Sequence, residues 1–251
     1  MDSFKELIYP ISENEFFTKY WKKEHLVIKA QCDKCIDWMK NLYTWDDLNT
    51  HVNQYPEIKG LQILDYDDKD GRYCLDKVKS KKLKQPFITK EQVYKLWEKG
   101  KSFVIPLAEY QKEELVKTCL NLEQYFGRGC ANVYMSPGGG SKSFPAHTDS
   151  TENFLLHTYG ETKWTIYKEF RGDKPRNIVA EYTLTPGDIL YLPTYLYHKA
   201  ESQTPRISIS VHFHNKENQT LDNFRITKKE NNKRPKWYDF KKVINENSNN
   251  K

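Results

Sequence analysis

His147 and Asp149 lie two residues apart in Phe144-Pro145-Ala146-His147-Thr148-Asp149, and a third candidate ligand, His198, follows far downstream after Leu192-Pro193. In an extended segment, side chains two apart point to the same side, so His147 and Asp149 face one centre. Two imidazoles and one carboxylate on one face of a metal leave its opposite face open, the arrangement that holds non-haem Fe(II) for chemistry with oxygen. His198 must then arrive from a distant strand, which requires a fold that closes on itself.

Other residues with chemical potential read differently. Gly138-Gly139-Gly140 is followed by neither a helix nor a Lys-Ser/Thr step, so it is no phosphate cradle. Asp188, in Thr185-Pro186-Gly187-Asp188, reads as a turn cap rather than a catalyst. Cys32-Asp33-Lys34-Cys35 has the spacing of a redox dithiol, yet it falls in a polar stretch after a short strand, away from any predicted helix start. With Cys74, Cys119 and Cys130 it is read as reduced thiols.

The elements that must position the ligands follow from periodicity. From Ala131 the apolar period changes from 3.6 to 2, with candidate strands at 131–135, 143–149, 152–159, 162–167, 178–184, 188–192, 196–201 and 206–213. Short, closely spaced strands with Gly and Pro turns predict a closed antiparallel architecture, mainly β with some α, of the jelly-roll kind. Residues 1–125 read as an α+β elaboration packed on a barrel spanning 126–214. Within it, Ser12 with Glu15 three residues later marks a helix start, His25-Leu26-Val27-Ile28 a buried strand, Thr44 a second helix start, and 89–99 and 107–125 amphipathic helices. The last has apolar positions at 115, 119, 122 and 126. The charged run 66–84 reads as a hairpin or exposed excursion, and 215–251 as an Asn- and Lys-rich extension anchored only by Trp237-Tyr238-Asp239-Phe240, its end expected to lack fixed structure. That aromatic cluster is also the candidate surface for a homodimer.

Forty Lys plus Arg against thirty-four Asp plus Glu is a mild excess of +6, too small by itself to argue for a nucleic-acid partner. The opening MDSFKELIYP lacks the apolar run of a secretory signal, and no stretch approaches the length that crosses a bilayer, so the expectation is a cytoplasmic protein with no membrane partner.

Four segments carry a family resemblance: Asn132-Val133-Tyr134-Met135-Ser136-Pro137-Gly138-Gly139; the His147-Thr148-Asp149 segment; Asn153 to Tyr167; and Leu184-Thr185-Pro186-Gly187-Asp188-Ile189-Leu190-Tyr191-Leu192-Pro193 leading to His198. Together they resemble the JmjC and cupin-like 2-oxoglutarate oxygenases, and within them the small cytosolic hydroxylases and the bacterial and nucleolar ribosomal oxygenases. The resemblance is strong over about 130–213 and weak before it. It implies a double-stranded β-helix barrel, with His147, Asp149 and His198 as metal ligands and Fe(II), 2-oxoglutarate and O2 as the reacting set. Oxidative decarboxylation of 2-oxoglutarate would then drive hydroxylation of a substrate C–H bond.

The chain departs from that group where the distal carboxylate of 2-oxoglutarate is held. Thr162 stands where relatives place Lys or Arg, and strand alternation turns the neighbouring Lys163 outward. A buried dianion needs a cation. Arg206, at the mouth of the last strand with Ser208 beside it, is the favoured source, since Arg offers a bidentate fork. A β-bulge rotating Lys163 inward, or absence of the cosubstrate, are the alternatives. Asn153 matches a cosubstrate-contacting Asn of asparaginyl hydroxylases in the family. His157 stands where Gln is usual and reads equally as a cosubstrate contact or a satisfied core histidine; Tyr134 reads as a carboxylate donor or as packing. Trp164 and Ile166 read as an apolar wall.

The expected substrate is a protein or peptide side chain. A small molecule or free amino acid, and a tRNA base, stand behind it, and a non-catalytic cupin-like metal-binding module is the rival outside enzymology.

Overall fold

Period-two burial from Ala131 onward builds two antiparallel sheets that share one interior. The structure, a computed structural model, describes residues 3–54, 61–64, 89–139, 141, 144–171 and 174–214. The expected excursion at 66–84 and the Trp237–Phe240 cluster lie outside the described residues. In chain order the elements are α1 (Phe4–Leu7), α2 (Glu13–Glu15) opening into a wider helical turn over Phe16–Tyr20, β1 (Leu26–Ile28), α3 (Asp33–Leu42), α4 (Trp45–Gln54), β2 (Gln62–Leu64), α5 (Lys90–Glu98), β3 (Ser102–Ile105), α6 (Glu113–Phe126), β4 (Gly129–Ser136), β5 (Thr151–Tyr159), β6 (Thr162–Arg171), β7 (Lys174–Leu184), β8 (Ile189–Leu192), β9 (Tyr197–Ser202) and β10 (Arg206–His214).

The larger sheet runs β1-β8-β5-β10-β4-β3-β2 and the smaller β7-β6-β9. These are the two walls of a jelly-roll, cupin-like double-stranded β-helix. Alternation gives the larger sheet two distinct faces. Phe154 and Leu156 of β5, Ile189 and Tyr191 of β8, and Ile207, Ile209, Val211 and Phe213 of β10 point away from the barrel into a core shared with the N-terminal helices. Leu155, Leu190 and Leu192 point inward and meet Trp164, Ile166 and Ala200 of the smaller sheet. Because both faces are covered, β5 is buried along nearly its whole length.

Aromatic packing fastens the helical elaboration to the sheet. Phe4 and Phe16 lie against Phe126 and Phe154, with ring centroids 5.0–6.2 Å apart, and Trp21 stacks on Tyr191 at 6.0 Å. Each fully buried Phe contributes roughly 2–3 kcal/mol, so these few rings anchor the N-terminal segment without help from long helices. The cap signals act locally: Ser12 Oγ accepts the Glu15 N–H at 3.1 Å, and Thr89 with Gln92 forms a reciprocal capping box.

Three sequence expectations change. The helix expected over 107–125 begins at Glu113: Leu107 adopts φ 55°, Ala108–Tyr110 makes only a single tight turn, and Lys112 is extended. The stretch Cys32-Asp33-Lys34-Cys35, read as polar and away from any helix start, opens helix α3, with Cys32 as its N-cap. Of the segment 143–149, expected as a strand, the described residues 144–149 contribute one bridge, His147 to His198, and no ladder. Pro145 lacks the N–H that a ladder would need there. Among the described residues no helix is long and apolar enough to cross a membrane.

The turn from β5 to β6 is closed by Gly160 at φ +75°, where an added Cβ would lie 1.9 Å from the Pro205 carbonyl oxygen. Gly100 shares the positive φ but faces open space. Gly100→Ala is therefore expected to cost about 1 kcal/mol for its left-handed backbone, and Gly160→Ala about 1–3 kcal/mol more. Urea unfolding of both variants tests this; equal midpoints would contradict the close approach at Gly160.

Candidate metal centre and cosubstrate pocket

The reciprocal bridge that replaces the expected strand sets the site. His147 N–H donates to the His198 carbonyl at 3.0 Å and His198 N–H to the His147 carbonyl at 2.9 Å, so the two rings emerge side by side with centroids 4.5 Å apart. Asp149 completes the group. One oxygen lies 3.6 Å from His147 Nε2 and the other 3.6 Å from His198 Nε2, and candidate ligand atoms of all three residues lie within 4.8 Å of one another.

The ring orientations decide what this cluster can do. His147 Nδ1 lies 2.8 Å from the Pro145 carbonyl, and His198 Nδ1 2.8 Å from the Leu196 carbonyl. A carbonyl only accepts, so both Nδ1 atoms carry the proton and both Nε2 atoms present a lone pair to the shared centre. Burial reinforces this by holding the His198 pKa down to about 4, which keeps its imidazole neutral. Donor set, spacing and tautomers therefore fit a divalent cation bound on one face. His198 is 5% exposed against 39% for Asp149 and 33% for His147, so the open side of the cluster faces the mouth of the barrel.

Asn153 supports the carboxylate. Its Nδ2 donates to Asp149 Oδ2 at 3.0 Å and to the Thr151 carbonyl at 3.1 Å, while its Oδ1 accepts from Ser210 Oγ at 3.1 Å. With its amide thus engaged, Asn153 orients the Asp149 carboxylate and does not line the cavity beside the triad.

A cavity runs inward from the triad, walled by Phe144, Leu155, Trp164 and Ala200 and lined further by Tyr134, Arg206, Ser208 and Ser210. Arg206 is 2% exposed, and its Nε donates to Ser136 Oγ at 3.3 Å. Among the described residues no carboxylate pairs with it. Burial lowers its pKa to about 10, which still leaves it charged at neutral pH. An enclosed guanidinium without a carboxylate partner, at the side of a cavity with a metal-type triad, is suited to an anionic ligand spanning the two.

The remaining sequence candidates divide. Thr162 is fully buried, and among the described residues neither its hydroxyl nor the indole N–H of Trp164 has a hydrogen-bond partner. Ile166 packs in the inner core rather than on the cavity. Lys163 is corrected: it faces outward and pairs with Glu181 at 2.7 Å, because the irregularity in β6 falls at Ile166/Tyr167, too far along to rotate it inward. His157 resolves as a core histidine. Its Nε2 lies 2.8 Å from the Gly160 carbonyl and so carries the proton, leaving Nδ1 to accept from Ser208 Oγ at 3.0 Å.

Sequence reasoning missed Glu152, Phe144, Ser136 and Ser210. Glu152, fully buried, accepts hydrogen bonds from the hydroxyls of Tyr191 and Thr194 and thereby fixes the loop leading to His198. In the same loop Tyr195 N–H donates to the Asp149 carbonyl at 2.8 Å. The available signal was a carboxylate at an outward, apolar parity of β5. Ser210 was legible too, two residues beyond Ser208 on the same face of β10.

The barrel is of the cupin type, and its His-Asp-His face presents a donor set that fits one divalent cation. Residues 107–221 match the family model described as a JmjC domain. The chain is similar to ribosomal oxygenase 2 of Rattus norvegicus, 28% identical over 225 residues, covering 83% of this chain and 46% of that protein. The bifunctional lysine-specific demethylase and histidyl-hydroxylase NO66 of Branchiostoma floridae is 24% identical over 212 residues, covering 83% and 32%. The chain thus spans less than half the length of these relatives. Among solved structures, the Escherichia coli ribosomal oxygenase YcfD superposes with a TM-score of 0.58 at 15% identity, covering 84% of this chain and 54% of that one. YcfD has also been solved in complex with cobalt and 2-oxoglutarate.

His157 gives a pH prediction. Burial holds its pKa down to about 4, against 6.5 for a free imidazole, so the folded state keeps it neutral while the unfolded chain takes up a proton as pH falls below 6.5. Its contribution to stability is complete above pH 6.5 and is lost as pH falls toward 4. Between pH 7 and pH 5 this one group should remove about 2 kcal/mol. His157→Gln keeps hydrogen-bonding capacity without the titration. Chemical denaturation at the two pH values should show the variant losing less stability by about that amount; equal losses would contradict the assignment.

Proposed function

We propose that the chain is an Fe(II)- and 2-oxoglutarate-dependent oxygenase that hydroxylates a C–H bond on a protein or peptide side chain. The observation that carries this reading is the pairing, in one cavity, of a His-Asp-His face with the buried guanidinium of Arg206, which has no carboxylate partner among the described residues. A 2-oxo acid with a second carboxylate has the groups for both ends.

In this reading His147, Asp149 and His198 hold the metal through two Nε2 atoms and a carboxylate oxygen. Bound iron with 2-oxoglutarate and O2 supplies hydroxylation of a C–H bond, with succinate and carbon dioxide as coproducts. Arg206 clamps the distal carboxylate with its fork, and the hydroxyls of Tyr134 and Thr162 are the supplementary donors. Ser208 spends its proton on His157 and so acts by positioning the pocket wall. Leu155, Trp164 and Ala200 exclude water from the space between clamp and metal, which strengthens each electrostatic contact there. The more exposed side of the triad, at His147 and Asp149, admits the substrate.

A protein side chain is favoured over a small molecule or a tRNA base because the similar chains carry the names ribosomal oxygenase and histidyl-hydroxylase. A cytoplasmic setting accompanies the proposal, since ferrous iron and free thiols persist there.

Anaerobic titration with Fe(II) and 2-oxoglutarate should raise the weak visible charge-transfer band of the chelate. The band is expected to vanish in His198→Ala. In Arg206→Ala the affinity for 2-oxoglutarate should fall by about tenfold to a hundredfold, as loss of a charge-assisted fork requires. Wild-type affinity in the Arg206 variant would remove that residue from the clamp, and a wild-type protein giving no band would overturn the oxygenase reading.

A further inference from the structure

Cys32 and Cys35 occupy a setting that their sequence context concealed. The chain leaves β1, passes Lys29-Ala30-Gln31 and turns at Cys32 into the ten-residue helix α3. Cys32 is the extended N-cap; its Sγ accepts the Cys35 N–H at 3.3 Å, and its carbonyl accepts the N–H groups of Cys35 and Ile36 at 3.0 and 3.1 Å. One helical turn therefore brings the two Sγ atoms to 2.8 Å. Cys32 is exposed and Cys35 half-buried, so a reagent meets Cys32 first.

We propose that Cys32 and Cys35 form a second reactive site, a dithiol that exchanges with small aliphatic disulfides, Cys32 attacking and Cys35 resolving. The Cys32 thiolate attacks one sulfur of a disulfide RSSR, forms Cys32–S–S–R and expels RS⁻, which takes up the proton that the thiol gave up. The Cys35 thiolate then attacks the Cys32 sulfur, expels the second RS⁻ and closes a Cys32–Cys35 disulfide. Two protein thiols are oxidised and one RSSR is reduced to two RSH; excess RSH reverses both steps.

The two sulfurs are not equivalent, and the asymmetry matches these roles. Hydrogen bonds from the Cys35 thiol and backbone lower the Cys32 pKa, whereas donation to Cys32, with burial, raises that of Cys35. Closure requires no movement of the helix, because the sulfurs already face each other across its first turn. Ile36 holds that turn in place: it sits so close to Gly187 that a Cβ there would come within 2.9 Å of Ile36 Cγ1.

The reduced full-length protein is incubated anaerobically with glutathione disulfide, quenched by alkylation and read by intact mass and peptide mapping. The wild type is expected to lose two alkylatable thiols, at Cys32 and Cys35, retain no glutathione and recover both thiols with dithiothreitol. Cys35→Ser should hold one glutathione on Cys32. In Cys32→Ser, Cys35 should react at least about tenfold more slowly than Cys32 does in Cys35→Ser, and serine preserves the helix cap. A wild type that retains glutathione without internal closure overturns the proposal, as does equal reactivity of the two single variants or reaction confined to Cys74, Cys119 and Cys130.

Discussion

Two backbone hydrogen bonds between His147 and His198 are the contact on which the site depends. They join the irregular segment after Phe144 to β9, and because the residues that exchange them are themselves the imidazole bearers, barrel closure and assembly of the ligand set are one event. No other part of 144–149 pairs with a strand, so the bridge is the strand contact that sets where the first imidazole sits. The surrounding bonds act on the same point: Tyr195 N–H on the Asp149 carbonyl, Asn153 on its carboxylate, and Glu152 on the loop through Thr194. Rigid carbonyl partners for both Nδ1 atoms then aim the lone pairs.

Electrostatics divides the barrel interior into two specialised regions. At the triad, burial keeps the His198 imidazole neutral and the carbonyl partners of both Nδ1 atoms turn both Nε2 atoms toward the centre, so that attraction for a cation rests on Asp149 and two lone pairs. Around Arg206 a full positive charge is held out of water with hydroxyl and aromatic neighbours and no carboxylate partner among the described residues. Burying such a group is unfavourable by itself. The aromatic core outside the sheet and the double coverage of β5 provide the stability that lets the interior carry this unneutralised charge. An anion that binds there is attracted by a cation already in place, with little reorganisation.

Much of this was legible in the chain. Alternation from Ala131 located seven of the barrel strands to within a few residues, and the spacing of His147 and Asp149 with a distant His198 identified candidate ligands before any fold was known. Parity alone put Lys163 outside and Trp164 inside. What could not be read depends on contacts across the fold. Pro145 and a single bridge replace a strand at 144–149, since one reciprocal pair leaves no periodic trace in sequence. Helix α3 was missed because its start is capped by a cysteine sulfur rather than a serine or aspartate. The hydrogen-bond partners of Asn153 and His157 emerge only when β10 supplies Ser210 and Ser208, a register that no local pattern specifies.

The central claim is that one divalent cation is held jointly by His147, Asp149 and His198. Equilibrium dialysis of the purified, metal-stripped protein against Co(II), with metal analysis of the retained fraction, measures it without any assumption about substrate or turnover. The account predicts one cobalt ion per chain, with His198→Ala retaining none at the same free metal concentration. A wild-type chain that binds no cobalt, or a His198 variant that binds it equally well, would contradict it.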